Sequence, residues 1–342
     1  MASETDLKGH FLGIDLGGTN VKAGVVAADG TQVSRVSVPT QAAEGPETGL
    51  KNIFHAAETA LSEAGLTPDD LPVIGLATPG TMDIPAGMLL DPPNLPGWVN
   101  VSIRERVAKH FGRPTILQND ANAAAYAEYW VGAGRNAGSM VMGTLGTGVG
   151  CGIIVRDMIL QGEHSHGSEC GHIIVQMDGG RRCDSGQYGT LEAYCSAKSL
   201  VRRCQEALAS GRRSSQLESH LEDDDALTPV LIGKAAEAGD ELADELIMET
   251  ARILGVATVS LMHTIDPDIV LIGGAMTFGR GESPLGRRFL QRIKDETKVR
   301  AFPIPYQRTT VDFARLGGDA GFIGAAGCAR QAWMSGKIES GV

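Results

Sequence analysis

One stretch of this chain occurs twice, and that repetition narrows the possible folds more than any other feature. Residues 11–26 read "FLGIDLGGTNVKAGVV" and residues 140–155 read "MVMGTLGTGVGCGIIV". Set one under the other, Leu16-Gly17 falls on Leu145-Gly146 and Asp15 on Thr144, a spacing of 129 residues. Each copy runs apolar, breaks at a glycine turn and resumes, the pattern of two strands joined by a hairpin. A supersecondary unit repeated at this distance points to a duplicated domain, with chance likeness between two glycine-rich hairpins as the alternative. A length of 342 residues also suggests two domains.

The rest of the sequence supplies helices between strands. After the first hairpin, Asp29-Gly30 signals another turn. Residues 47–64 carry a helical apolar period through Leu50, Ile53, Phe54, Ala57 and Leu61. A buried strand at 73–78, a loop rich in Pro and Gly, a helix near 102–111 and the strand "TILQN" lead to an alanine-rich helix opening near Ala121. Residues 197–264 read as mainly helical, interrupted at 209–228, where the acidic run Glu222–Asp225 reads as a solvated surface feature. "DIVLIGGAM" (268–276) is a buried strand ending in two glycines, and 318–333 a closing helix capped by Asp319. Strands alternating with helices make the class α/β, with two sheets.

Three glycine turns and one acid carry candidate chemistry. In "GIDLGGTNVKAG", Gly17, Gly18 and Thr19 follow a strand that delivers Asp15. Glycines let backbone N–H groups approach a phosphate closely. Asp15 would repel phosphate, so its use there is to hold Mg²⁺ through water. An ordinary hairpin explains the same residues. The second turn, "GTLGTGVGCG", has neither P-loop nor Rossmann spacing, and the third is Gly273-Gly274. Tight β-packing competes with ligand approach at each of them. Asp120, at a strand-to-helix junction beside Asn119 and Asn122, can cap the helix or project as a general base.

The net charge of −11 excludes a nucleic-acid partner, which needs a basic face, and argues against an anionic membrane surface. The first residues show no signal peptide, and no run of 18 apolar residues predicts a membrane span. Six cysteines (Cys151, Cys170, Cys183, Cys195, Cys204, Cys328) are too few for a disulfide framework in a chain this long. A reduced, cytoplasmic location is expected.

With "DLGGT", "NDANAAAYAE", "GTLGTGVGCGII", "ECGH", "GTLEAYCS" and "IVLIGGAM" in this order, the chain resembles the ROK family of sugar kinases, glucokinase-like members above all, over about residues 10–332. The resemblance implies a two-domain actin-like ATPase (ribonuclease H-like) α/β fold with a cleft between the domains. It implies an N-terminal domain of residues 1–118 completed by a C-terminal helix at 319–342, and a larger domain at 119–318. No helix-turn-helix segment precedes Asp15, so the family's repressor branch is not expected. By resemblance Asp120 is the catalytic base. Asn119, Glu169, His172 and Glu192 match sugar ligands, with Gly80 and Asn94 as further contacts. Asp15, Gly17, Gly18, Thr19 and Lys22 match the first phosphate segment, Thr147 and Gly148 the second, and Gly273 and Gly274 the adenosine segment.

The implied reaction is transfer of a phosphoryl group from ATP, with Mg²⁺, to the 6-hydroxyl of glucose. The implied partners are sugar and ATP, and family members are often dimers or tetramers, with a homodimer expected here. Other hexoses (fructose, mannose, N-acetylglucosamine, N-acetylmannosamine) and an inactive sugar-sensing protein are the alternatives. The family commonly carries zinc on a histidine and C-x-C-G-x-x-G-C. Here His172 and Cys183 keep their places, but Ser185 and Thr190 replace the other two thiols. Hydroxyls are poor zinc ligands, so the expected loop is zinc-free and hydrogen-bonded, unless Cys170, Cys195, His164 or His166 repairs the set.

Overall fold

The computed structural model describes residues 9–218, 227–336 and 338; the acidic run Glu222–Asp225 lies outside the described residues. In chain order the elements are β1 (His10–Leu16), β2 (Asn20–Ala27), β3 (Val36–Pro39), α1 (Pro46–Glu63), β4 (Ile74–Thr78), β5 (Met82–Asp83), β6 (Met88–Leu89), α2 (Ile103–Phe111), β7 (Thr115–Asn119) and α3 (Asp120–Trp130). Then come β8 (Ser139–Leu145), β9 (Val149–Val155), β10 (Met158–Ile159), α4 (Glu192–Cys195), α5 (Ala197–Ala209), α6 (Pro229–Glu237) and α7 (Glu241–Ile265). The chain closes with β11 (Ile269–Gly274), α8 (Pro284–Arg300), α9 (Pro303–Arg308), β12 (Thr310–Phe313) and α10 (Ala320–Met334).

Two five-stranded sheets share one plan, β3-β2-β1-β4-β7 and β10-β9-β8-β11-β12. In each, the repeated segment forms an antiparallel hairpin whose first strand pairs parallel with the next strand inward. The described residues divide into two compact units. One holds the chain up to Asn136, Met158–Ser168 and the residues from Gly318 on; the other holds Ala137–Asp157 and Glu169–Gly317.

In the first unit the period of two along the strands decides what each face can bind. Leu12, Ile14 and Leu16 of β1, Val21, Ala23 and Val25 of β2, and Ile74 and Leu76 of β4 enter one core with Leu50, Ile53 and Leu61 of α1 and Val107 of α2. The alternate positions, Gly13, Gly24 and Gly75, face α10. A methyl group on Gly13 would lie 1.9 Å from the Phe322 carbonyl oxygen, and one on Gly75 would lie 1.8 Å from that of Ala325. These glycines seat the helix directly on the strands, and Asp15 stands on the same face.

Two expectations change. The first stretch of the first unit runs to Asn136 rather than to residue 118, so Asn119, Asp120 and α3 fall within it. The cause is the packing of α3 on α10, where a methyl on Gly324 would meet the Ala123 carbonyl oxygen at 1.7 Å. Asp319 makes no side-chain cap for α10; its carboxylate instead accepts from Arg35 Nε at 2.8 Å.

The core of the second unit gathers Val141, Leu145, Val149, Val270 and Ile272 from the sheet with Leu242, Ile247, Leu254 and Met262 of α7. Among the described residues α7 is the one helix long and apolar enough to cross a membrane. With 61% of its apolar window buried, it is the core helix of this unit.

Candidate active site

The first glycine turn is closed by its own chain. Gly17 N donates to Asn20 O at 2.9 Å and Thr40 Oγ1 donates to Gly17 O at 2.6 Å. A methyl on Gly18 would meet the Asn94 carbonyl oxygen at 2.8 Å, so the "PNLPGW" loop lies against the turn. Thr19 stays exposed. Gly80, at φ +81°, packs on Pro92 in the same loop region.

Behind the turn, Asp15 pairs across the strands with Lys22, and its carboxylate abuts Gly321 at the start of α10. Burial pushes the Asp15 carboxyl up to about 6, and Lys22 pulls it part of the way back. A half-buried carboxylate raised in this way is disfavoured as an anion until a cation joins it, so Asp15 suits a divalent ion whose other ligands are water and phosphate oxygens. The Lys22 ammonium donates to the Gly318 carbonyl. Part of its bonding is therefore spent on the turn before α10 rather than on a ligand.

Asn119 and Asp120 divide the work at the start of α3. The N-cap is Asn119, whose side-chain oxygen accepts from Ala121 N and Asn122 N at 2.9 and 3.2 Å. Asp120 occupies the first helical turn, where Oδ1 accepts from Ala121 N at 2.8 Å. Asn119 is thus the N-cap, and Asp120 shares the Ala121 N–H with it. Gln118, unnoticed in the sequence, holds the Asn119 N–H at 2.8 Å.

In the second unit Glu192 and the 3-10 turn that ends at His172 both reach Val149. Its N–H donates to Glu192 Oε2 at 2.9 Å, and Gly171 packs on its carbonyl so closely that a methyl would come within 2.1 Å. Gly171 lies between Glu169 and His172 on a single 3-10 turn. Glu169, His172 and Glu192 are thus tied to the mouth of the second glycine turn, where Thr147 is exposed and Gly148 backs onto the Glu192 carboxylate. Gly274, at φ +88°, leaves no room for a side chain beside Leu145 of that hairpin. Gly273 is buried against Met142 and Ala314.

The cysteines do not gather around a metal. All six are free and buried, and among the described residues no group of three His, Cys, Asp or Glu side chains could hold an ion. The thiols of Cys151 and Cys170 face each other; that contact, with burial, pushes Cys151 up, and against the opposing effect of burial it holds Cys170 below the usual thiol range. Cys195 is fully buried, donates to the Thr250 carbonyl at 3.6 Å and is pushed well up by burial. The residues that remain in the zinc pattern, His172 and Cys183, are joined there by Ser185 and Thr190, and this donor set does not fit zinc.

The first unit thus offers backbone amides at a glycine turn, a half-buried carboxylate suited to a cation and a carboxylate at a helix start; the second offers a more open glycine turn beside Glu192. Val149 in the second unit and Gly321 in the first were not legible as neighbours of these groups; Gly321 reaches Asp15 across 306 residues of sequence, with no local signal. The ROK family profile matches residues 11–332. The glucokinase of Halalkalibacterium halodurans is 33% identical over 321 residues, covering 94% of this chain and 95% of its own. Among solved structures, a ROK hexokinase from Thermus thermophilus shares 32% identity at a TM-score of 0.79, over 96% of this chain and all of that one. A ROK family glucokinase from Streptomyces griseus, solved with glucose and AMPPNP, shares 31% at 0.77, over 94% and 100%. A xylose repressor from Caldicellulosiruptor bescii is 26% identical, over 90% of this chain and 75% of its own length. With a family match running almost end to end and relatives above 30% identity across both sheets, this chain belongs to the ROK family, in the two-domain actin-like sugar-kinase fold.

Proposed function

We propose that the chain is an ATP-dependent hexokinase that phosphorylates the 6-hydroxyl of glucose. What supports the reading is the family match over residues 11–332 together with the place of Asp120 in the first turn of α3, behind the N-cap Asn119. A sugar hydroxyl is far too weak an acid to ionise at neutral pH. A carboxylate need only accept its proton as the transition state forms, worth about 10²–10⁴-fold; in-line positioning supplies most of the rest.

Glu169, His172 and Glu192 hold sugar hydroxyls, with Asn119, Asn94 and Gly80 as further contacts. Asn119 spends its side-chain oxygen on the helix, so its amide nitrogen is the end that donates to sugar. Gly17, Gly18 and Thr19 with Thr147 and Gly148 receive phosphates, and Gly273 and Gly274 the adenosine. Mg²⁺, held by Asp15 through water, supplies the neutralising charge that the phosphates need in so acidic a chain. A cytoplasmic homodimer completes the proposal.

The likeness to a xylose repressor favours a second reading, a sugar-sensing protein without turnover. Coupled ADP release over glucose, fructose, mannose, N-acetylglucosamine and N-acetylmannosamine separates the two. Glucose is expected to give the highest kcat/KM. A different leading sugar corrects the substrate, and sugar binding without ADP release from any hexose replaces the kinase by the sensor.

A further inference from the structure

We propose that a chain of hydrogen bonds through Cys183 does the mechanical work of a zinc ion in this loop, and that Thr190 is a positioning residue for Glu192. The second half rests on the sugar-binding role proposed for Glu192; the first does not.

Thr190 is fully buried. Its Oγ1 accepts from Ala193 N at 3.3 Å, and its hydroxyl stands near enough to Cys183 to help hold that thiol below its usual range. Cys183 Sγ in turn donates to Gln187 Oε1 at 3.4 Å and lies 3.3 Å from Ser185 Oγ. With Ser185 donating to the sulfur, the Ser185 and Cys183 protons both have acceptors. A metal would have to strip the proton from Cys183 and then rely on two neutral hydroxyls, a poor exchange for a satisfied network.

The main chain is stitched in parallel with the side chains. Cys183 N reaches Gln187 O at 2.9 Å, Gly189 N reaches Arg181 O at 2.8 Å, and Leu191 N reaches Ile173 O at 2.8 Å, one residue beyond His172. Ala193 lies in the first turn of α4, which opens with Glu192. A bond to its N–H from Thr190 therefore fixes the turn that aims the Glu192 carboxylate at Val149. Cys170 and Cys195, the cysteines nearest in sequence that could replace lost ligands, are engaged elsewhere.

Elemental analysis of the purified full chain, with melting measured with and without a chelator, is the first test. Less than a tenth of an equivalent of zinc and an unmoved melting temperature are expected; one equivalent that survives the chelator overturns the proposal. Ser185→Cys combined with Thr190→Cys is expected to take up about one equivalent of zinc. Failure to do so removes the idea that the loop is a zinc loop altered at two positions. Both readouts need no sugar, so they stand whatever the hexose panel shows.

For Thr190→Val, loss of one net hydrogen bond predicts a sugar KM, or Kd if there is no turnover, raised about 5-fold. Where there is turnover, kcat should stay within about twofold, and Thr190→Ser should restore affinity. A fall in kcat at constant KM, or a serine variant no better than valine, ends the positioning role; absence of any sugar binding in the unaltered chain defeats the function proposed above and with it this role, leaving the metal result to decide the rest.

Discussion

In the first hairpin Leu16 pairs with Val21 and four residues make the turn; in the second Leu145 pairs with Val149 and three suffice. The extra residue lets the first turn fold back on Asn20 and be clamped by Thr40 and the Asn94 loop. The shorter turn is also closed, by Gly146 N on Gly148 O at 3.0 Å and Ala197 N on Gly146 O at 2.9 Å, but a methyl on Gly146 would meet nothing within 4 Å, and Gly148 is backed by a carboxylate rather than by main chain. The duplicated backbones therefore carry different constraints. Glycine in the first unit chiefly permits packing, on strands as well as in the turn, whereas at Gly146 no neighbour requires it. A glycine that nothing in the protein needs is the better mark of a ligand.

The strongest challenge to this contrast is at the side chain that carries the chemistry. Asp120→Asn should lower kcat by about 10²–10⁴-fold while sugar affinity and the circular dichroism spectrum stay close to those of the unaltered chain. Turnover of glucose at a near-normal rate would remove the base assignment.

Next come paired substitutions of glycine. Gly75→Ala places a methyl 1.8 Å from a backbone oxygen, an overlap no rotamer relieves. Denaturant melts should show a loss of about 3 kcal/mol or more, at or beyond the upper end of ordinary overpacking. Gly146→Ala should change stability by less than about 0.5 kcal/mol and instead raise the KM for ATP. Equal losses of stability at the two positions would erase the contrast.

The smaller effect concerns Asp15, and its sign depends on pH. The folded carboxyl titrates at about 6, above its ordinary 3.8, so the folded state holds this proton more tightly than the unfolded chain. Stability from this group is unimpaired below pH 4 and lost as pH rises through 6. Asp15→Asn should thus stabilise the magnesium-free protein by about 2–3 kcal/mol at pH 8 and by nothing near pH 4, while losing Mg-ATP turnover. A variant no more stable than its parent at pH 8 would show that Asp15 is better solvated than its burial implies.

The sequence made the repeated hairpin, the strand and helix spans and the turn glycines readable because each rests on short-range pattern. The division of the chain was not readable at residue 118, since what keeps α3 in the first unit is Gly324 touching Ala123, a contact spanning 201 residues. The same distance hides Gly321 beneath Asp15. Asp120 and Asn119 could be named as a pair, but which of them caps the helix depends on backbone angles that composition does not reveal. In the cysteine-bearing loop the two missing thiols were visible at once. Gln187 was not, because an amide set between two turn glycines, Gly186 and Gly189, looks like any exposed polar residue.

Helix α10 also sets an order of events during synthesis. The strands that it covers, β1, β2 and β4, leave the ribosome first, but their glycine-lined face stays bare until the last described helix emerges. Residues 137–317 must be made in between. At about 5–20 residues per second, this is an interval on the order of 10–40 s. The second unit has all its strands and helices available before the first can close. The nascent chain thus carries an uncovered sheet for most of its translation, and a stop codon upstream of α10 would strand it in that state.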